Sequence, residues 1–378
     1  MEAPTHFAGI DRRAARLLLL AIAAVLALAA LTWQPSPPQL LSVDTQAIPT
    51  AQAEARTGNA SSPAPQQEGE EAQSATRDVD LALYDAITAR VAAGENYYQV
   101  AVAEQRARNF PVRPGFAVRL PTLAVTSAAL GPLIFIVALL LAALTGFAWW
   151  RRLTPILDRP ARRVIALGLL GWGAAVGFKP MYFVLHEAWS GMFLALALAL
   201  HSPGRWRGAW IAAALALAIR EHALPFVMLM GALALWRRDW REMAAWSLLV
   251  AGFVALLAYH VSLVGQLTGP QDPLSSSWLA LRGPGGWIEF IVLCTGLYLL
   301  PAWLAAPLVL LPLLGWAGLK DRLGLEALLL FAGYGLLFMI AGRANNFYWG
   351  LMVAPAWFVG LYWVPGALRD LWHSARAN

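Results

Sequence analysis

Apolar stretches of about 17 residues or more recur along this 378-residue chain, and each is long enough to cross roughly 30 Å of hydrocarbon as a helix. No other feature restricts the fold as much. In lipid every backbone N–H and C=O must be satisfied within the protein, which leaves helices or a closed barrel. Uninterrupted apolar runs, as opposed to alternating ones, select helices. Composition agrees: 59% of the residues are hydrophobic and 13% charged, where a water-soluble chain needs about twice that share of charge. The one cysteine, Cys294, sits inside an apolar run, which excludes a disulfide framework and a thiolate metal site. A net charge of +6 would suit nucleic acid in a soluble protein. Here the basic residues lie between the apolar runs, so they report topology and no nucleic-acid partner is expected.

The fold class expected is all-α, a polytopic transmembrane helical bundle of about ten spans. The first, Leu17–Trp33, follows Arg12, Arg13 and Arg16, and Gln34-Pro35-Ser36-Pro37-Pro38 is a poor cleavage site, so it reads as an uncleaved anchor. Basic clusters then divide the rest into Leu123–Trp150, Val164–Phe178, Val184–Leu200, Gly208–Ile219, Leu224–Trp236, Ala244–Val264, Tyr298–Leu319, Leu325–Ala341 and Tyr348–Val364. Residues 287–319 could hold one span or two. Lys320 and Arg322 favour one, preceded by an interfacial or re-entrant piece, and two would make eleven spans. The positive-inside rule then puts both termini in the cytoplasm, in a bacterial inner membrane. Of the 28 Lys and Arg residues, only Lys179, Arg220, Arg282 and Arg343 fall in short turns on the outer side.

The organisation expected is a cytoplasmic start and first span (1–33), an extracytoplasmic linker (34–77), a loop with surface helices (78–121) and the remaining bundle (122–378). The linker is Ala, Gln, Glu, Ser, Thr and Pro with scarcely a large apolar side chain, and cannot offset its ordering entropy. From Asp78 the texture changes. Leu81, Leu83, Tyr84, Ile87 and Val91 recur at helical spacing up to Gly94, and Tyr97/Ala101 and Tyr98/Val102 mark a second helix closed before Pro111. Both are expected to be amphipathic helices in the first outer loop.

Polar groups gather at the outer ends of the spans. Lys179 is followed by His186 and Glu187, Arg220 by Glu221 and His222, and Arg343 by Asn345, Asn346, Tyr348 and Trp349, with His260 and Glu289 also near outer ends. Ionisable groups near membrane depth are costly unless they pair and face a cavity, so three such turns on one side point to a site. The four spans from Val164 to Trp236 are short and would leave a cavity above them.

This order of features resembles the GT-C class of membrane glycosyltransferases: an N-in first span, a long first outer loop with acidic residues and surface helices, and later polar turns on the same face. The most specific element is Arg77-Asp78-Val79-Asp80 followed by Leu83-Tyr84-Asp85. The resemblance implies a polyprenyl-phosphate-linked sugar donor, transfer outside the cytoplasm, and a catalytic carboxylate at Asp80, with Asp78 completing the acidic pair and Asp85 a third candidate. A divalent cation beside Asp78 and Asp80 is used by some members of the class and not by others. The chemistry fits this reading. A base must deprotonate the acceptor hydroxyl, and cations such as Arg113, Arg119, Arg220 or Arg343 must hold the leaving phosphate. Tyr84, four residues from Asp80, shares its helix face. The rival class is a secondary transporter using embedded Arg, Glu and His as a proton relay, although the polar groups hug one face and no inverted repeat is visible.

Overall fold

A computed structural model describes residues 5–35 and 79–377 of the chain, so Asp78 and the expected linker lie outside the described residues. Helices dominate, no strand forms among the described residues, and the chain divides into two compact units.

The larger unit comprises Met1–Ser36, Leu130–Tyr259 and Ser276–Asn378. Its first helix, α1 (Arg12–Thr32), starts at Asp11, whose carboxylate accepts from the amides of Arg13 and Ala14. Leu17, Leu20, Leu28 and Leu31 on α1 are exposed, as are Leu139, Leu140 and Phe147 further on. Apolar surface on this scale suits a bilayer, not water. Four stretches are long and apolar enough to cross one: Arg12–Thr32, Gly115–Leu153, Trp240–Leu267 and Arg322–Ile340.

The expected ten crossings are therefore not matched by ten full-length helices. The four spans expected to be short appear as helices of 15, 15, 13 and 13 residues, each roughly 20 Å long. After α2 (Val79–Ala92) and α3 (Tyr97–Ala107) of the smaller unit come α4 (Thr122–Leu130), α5 (Ile134–Leu153), α6 (Pro160–Ala174), α7 (His186–Leu200) and α8 (Arg207–Ile219). There follow α9 (Leu224–Trp236), α10 (Trp240–Leu267), α11 (Gly283–Leu293), α12 (Ala302–Gly318), α13 (Arg322–Ile340) and α14 (Val364–Arg376). At about 16 Å, α11 is too short to cross. It lies where the sequence predicts a partial piece, and the helix after it begins at Ala302, behind Pro301.

The last expected span, Tyr348–Val364, is not one helix. Residues 344–363 form short 3₁₀ and α turns, and the path bends by 61°. Two causes are visible. Pro355 lacks an amide donor, and close crossings hold the neighbouring backbone. A Cβ on Gly191 of α7 would lie 2.0 Å from Leu351 O, and one on Gly315 of α12 would lie 1.8 Å from Gly360 O. Small residues let backbones approach this closely. Residues 349–360 are buried throughout, which is where irregular backbone at membrane depth is tolerated.

One end of the larger unit ties early and late residues together. Thr5 donates from N and Oγ1 to Asp370 Oδ2 (2.8 and 3.0 Å), Ser374 Oγ accepts from Gly9 N and donates to Phe7 O, and Arg16 Nε donates to Ala375 O. His6 N donates to Gly318 O at the foot of α12. Arg152, at the end of α5, reaches Asp321, which caps α13.

The smaller unit comprises Pro37–Ala129 and His260–Ser275. Helices α2 (Val79–Ala92) and α3 (Tyr97–Ala107) form a hairpin where the periodicity predicts one. Gly94 turns at φ 93° and Asn96 caps α3. Leu83, Ile87, Tyr97, Val100, Ala101, Val112, Val118 and Val264 pack into its core. Arg106 grips Asp272 through two bonds of 2.6 and 2.7 Å, and Val112 N and Arg113 N both donate to Pro273 O, so the loop after α10 is pinned to this core.

Candidate functional site

The acidic motif falls in the smaller unit. Asp80 lies in the first turn of α2, half-buried. Tyr84 follows one turn later on the same face, and its hydroxyl accepts from Arg119 Nε at 3.1 Å. Arg119 is itself placed by Tyr97, whose hydroxyl donates to Arg119 O at 2.6 Å. The structure thus brings a carboxylate, a phenol and a guanidinium to one side. Asp85, five residues after Asp80, is rotated by about 140° around the helix and is exposed. Arg113 Nη1 donates to the carbonyls of Gly269 and Pro270, so it serves the loop and not the acidic face. His260, singled out by its position, bridges Val118 O and the Tyr98 hydroxyl within the same core.

The electrostatics of that pinned loop are sharp. Hydrogen bonds from Arg106 and then from the Gly269 amide hold the Asp272 carboxyl down to about 2. Arg106 is half-exposed, so most of this interaction is screened by water.

A second polar cluster lies in the larger unit, at the ends of α7 and α8. Helix α8 ends at Arg220, which is buried and reaches Glu187 in the first turn of α7 (Nε–Oε1 2.7 Å) as well as the neighbouring Glu221. His222 Nδ1 sits 3.2 Å from Glu221, its carbonyl accepts from the Tyr334 hydroxyl, and its ring lies 4.2 Å from that of Trp349. Two of the three turns picked out by their polar residues therefore meet here: Glu187 joins Arg220, Glu221 and His222. Trp349 ties in the third. Among the described residues, Arg220 Nη2 and Trp349 Nε1 are buried donors without a hydrogen-bond partner. Such donors are expensive to leave unmet, and an anion is a fitting partner for either.

The remaining candidates divide. His186 is buried beside Glu187. Asn346 accepts from Arg343 N and donates to the Tyr348 hydroxyl, so it closes the turn that starts the broken segment. Arg343 Nε has no partner among the described residues, whereas Asn345 is exposed. Lys179 is exposed, with Nζ 5.9 Å from the Tyr298 ring centre. Glu289 pairs with Arg282 at 2.6 Å. A small apolar pocket is lined by Leu141, Phe178, Phe183, Ala188, Trp189 and Met192.

No protein family, curated protein or solved structure matches this chain.

Among the described residues no three His, Cys, Asp or Glu side chains are grouped to hold a metal ion, and Asp78 is not among them. One cluster escaped the sequence reading. At the opposite end of α7, His201 lies between Glu242 and Glu326. Its available signal was the isolated acid in the opening turns of two apolar helices, α10 and α13.

Proposed function

We propose that the chain is a polytopic membrane glycosyltransferase of the GT-C type, moving a sugar from a polyprenyl-phosphate carrier to an acceptor on the extracytoplasmic face. The observation that carries this reading is Asp80 one turn ahead of Tyr84, with Arg119 bonded to the Tyr84 hydroxyl. Transfer needs both kinds of group. Asp80 takes the proton of the acceptor hydroxyl as its oxygen bonds to the anomeric carbon, and the bond from that carbon to the phosphate oxygen breaks. The electron pair leaves with the phosphate, where a guanidinium stabilises the growing charge.

Arg119, bonded to the Tyr84 hydroxyl one turn from Asp80, is assigned that role. In the larger unit the unmet buried donors of Arg220 and Arg343 make that cluster a candidate of its own for an anionic group. In this proposal the shorter helices complete about ten crossings. The end carrying Arg12, Arg13, Arg16, Arg152 and Arg369 faces the cytoplasm of a bacterial inner membrane, and both termini lie there.

The test is Asp80→Asn against Asp85→Asn, with sugar release from a polyprenyl-phosphate donor as the assay and membrane-inserted yield as the control. A base at Asp80 predicts a loss of on the order of a hundredfold or more at unchanged yield, and a small effect at Asp85. If Asp80 is only a cap, the variant keeps its turnover and the cost stays near 1 kcal/mol or below. A second reading, a transporter, is favoured by the buried Glu187–Arg220 pair and the half-buried Glu221 beside it. Full turnover in Asp80→Asn and in Asp78→Asn would promote it.

A further inference from the structure

The end of the larger unit away from Arg220 holds a buried charged group that the proposed reaction does not use. Three helix ends meet there: His201 caps the C-terminus of α7, Glu242 lies in the first turn of α10, and Glu326 in the second turn of α13. All three are buried, His201 completely. His201 Nε2 is 2.9 Å from Glu242 Oε1, and Nδ1 is 3.0 Å from Glu326 Oε1, a close approach off the line of the ring N–H. The other Glu242 oxygen accepts from Arg237 at 2.8 Å, and Trp246 Nε1 donates to Glu242 Oε1 at 3.2 Å. Glu326 Oε2 is buried and has no hydrogen-bond partner among the described residues.

We propose that His201, Glu242 and Glu326 form a proton-binding site in which an imidazolium, held between two carboxylates, braces the ends of α7, α10 and α13 and releases them when its proton leaves. Charge balance is the first argument. Arg237 supplies one positive charge against two carboxylates, so with both carboxylates ionised the buried group is neutral only while both ring nitrogens of His201 carry protons. A neutral imidazole leaves one uncompensated negative charge out of water, which is strongly unfavourable. Helix polarity is the second. The cation sits at a helix C-terminus, and both carboxylates lie near helix N-termini, the placement each macrodipole favours.

The other charged groups around this end do not alter the balance. Asp239 accepts from the Glu242 amide, Arg152 is paired with Asp321, and Arg205 and Arg207 in the turn after His201 are exposed. Burial alone would push the His201 ring down, but its contacts with Glu242 and Glu326 outweigh burial and raise it above its ordinary value near 6.5. A raised native value contributes stability that is complete below about 6.5 and is lost as the pH climbs through the native value. The brace therefore loosens on the alkaline side.

The experiment uses the full chain purified in detergent and has two readouts. In histidine-selective ¹⁵N spectra at pH 7, the ring that vanishes in His201→Gln should show two protonated nitrogens. A neutral ring there overturns the proposal, whether or not any other variant folds. In thermal melts, wild type should lose roughly 5 °C or more between pH 7 and 10. Glu326→Gln, which removes the surplus negative charge, should lose clearly less over the same range. Equal alkaline slopes in the two proteins also overturn it. Neither readout depends on sugar transfer, so the brace and the transferase reading fail separately.

Discussion

Replacing Arg220 separates a stabilising ion pair from a decorative one. The guanidinium is 1% exposed and Glu187 is 1% exposed, so neither exchanges its partner for water. Removing one member of such a buried pair strands the other, at a cost of about 3–5 kcal/mol. That is a large part of the roughly 5–15 kcal/mol by which a fold is held. Glu187→Gln should cost less, about 2 kcal/mol, because Arg220 keeps Glu221. The double variant Arg220→Met with Glu187→Gln strands neither charge of the pair. It should be more stable than the sum of the single effects by about 2 kcal/mol. Arg220→Lys should rescue poorly, since one ammonium cannot span two carboxylates as the fork does. Thermal melting of detergent-purified protein, with monodispersity by gel filtration, measures all four. A coupling below ~0.5 kcal/mol would mean that the two groups do not depend on each other, and the buried cluster would lose its structural rationale.

Three more outcomes follow from the geometry. Gly315→Ala places a methyl against Gly360 O, where no flexible side chain can yield, so a loss of about 3 kcal/mol or more is expected in the same melts, while Gly171→Ala, with open space around it, should be near neutral. The Asp272 carboxyl is held down to about 2, so its share of stability is present above about 4 and lost as pH falls through 2. Because Arg106 is half-exposed this share is at most about 1 kcal/mol, and Arg106→Ala should flatten the melting curve between pH 5 and 2; an unchanged slope refutes the pairing. Cysteines at Ser61 and Ser276 should react with a membrane-impermeant thiol reagent in intact cells and one at Ser202 should not, against a silent background from buried Cys294; the reverse pattern inverts the proposed topology.

The hairpin of α2 and α3 was legible because the smaller unit buries one face of each: Leu83 and Ile87 repeat at helical spacing, and Gly94 and Asn96 punctuate the turn as local chemistry requires. The short helices from Pro160 to Trp236 were legible from their length alone. The broken segment at 344–363 was not. Its hydropathy is that of a span, and only the approach of Gly191 and Gly315 from other helices shows that its backbone has no room to stay regular. The acidic motif placed Asp80 and Tyr84 together through a four-residue spacing, but the partner of Tyr84 lies 35 residues away in sequence, a distance no periodicity spans. His201 was hidden for the same reason, since Glu242 and Glu326 come from two other helices. Asn346, picked as a ligand, also closes a turn, a role the sequence does not reveal.

The clasp between Thr5 and Asp370 joins residues separated by 365 positions. A ribosome adding roughly 5–20 residues per second makes the second partner about 20–70 s after the first. For most of that interval, until Gly318 offers its carbonyl to His6, α1 is already threaded and its tail has nothing to hold. Maturation of this end is therefore governed by the clock of synthesis, and everything upstream must stay assembly-competent while it waits. A truncation just before α14 should then leave a full set of earlier helices in the bilayer whose tail keeps only its bond to Gly318, a species that quality-control proteases meet as unfinished.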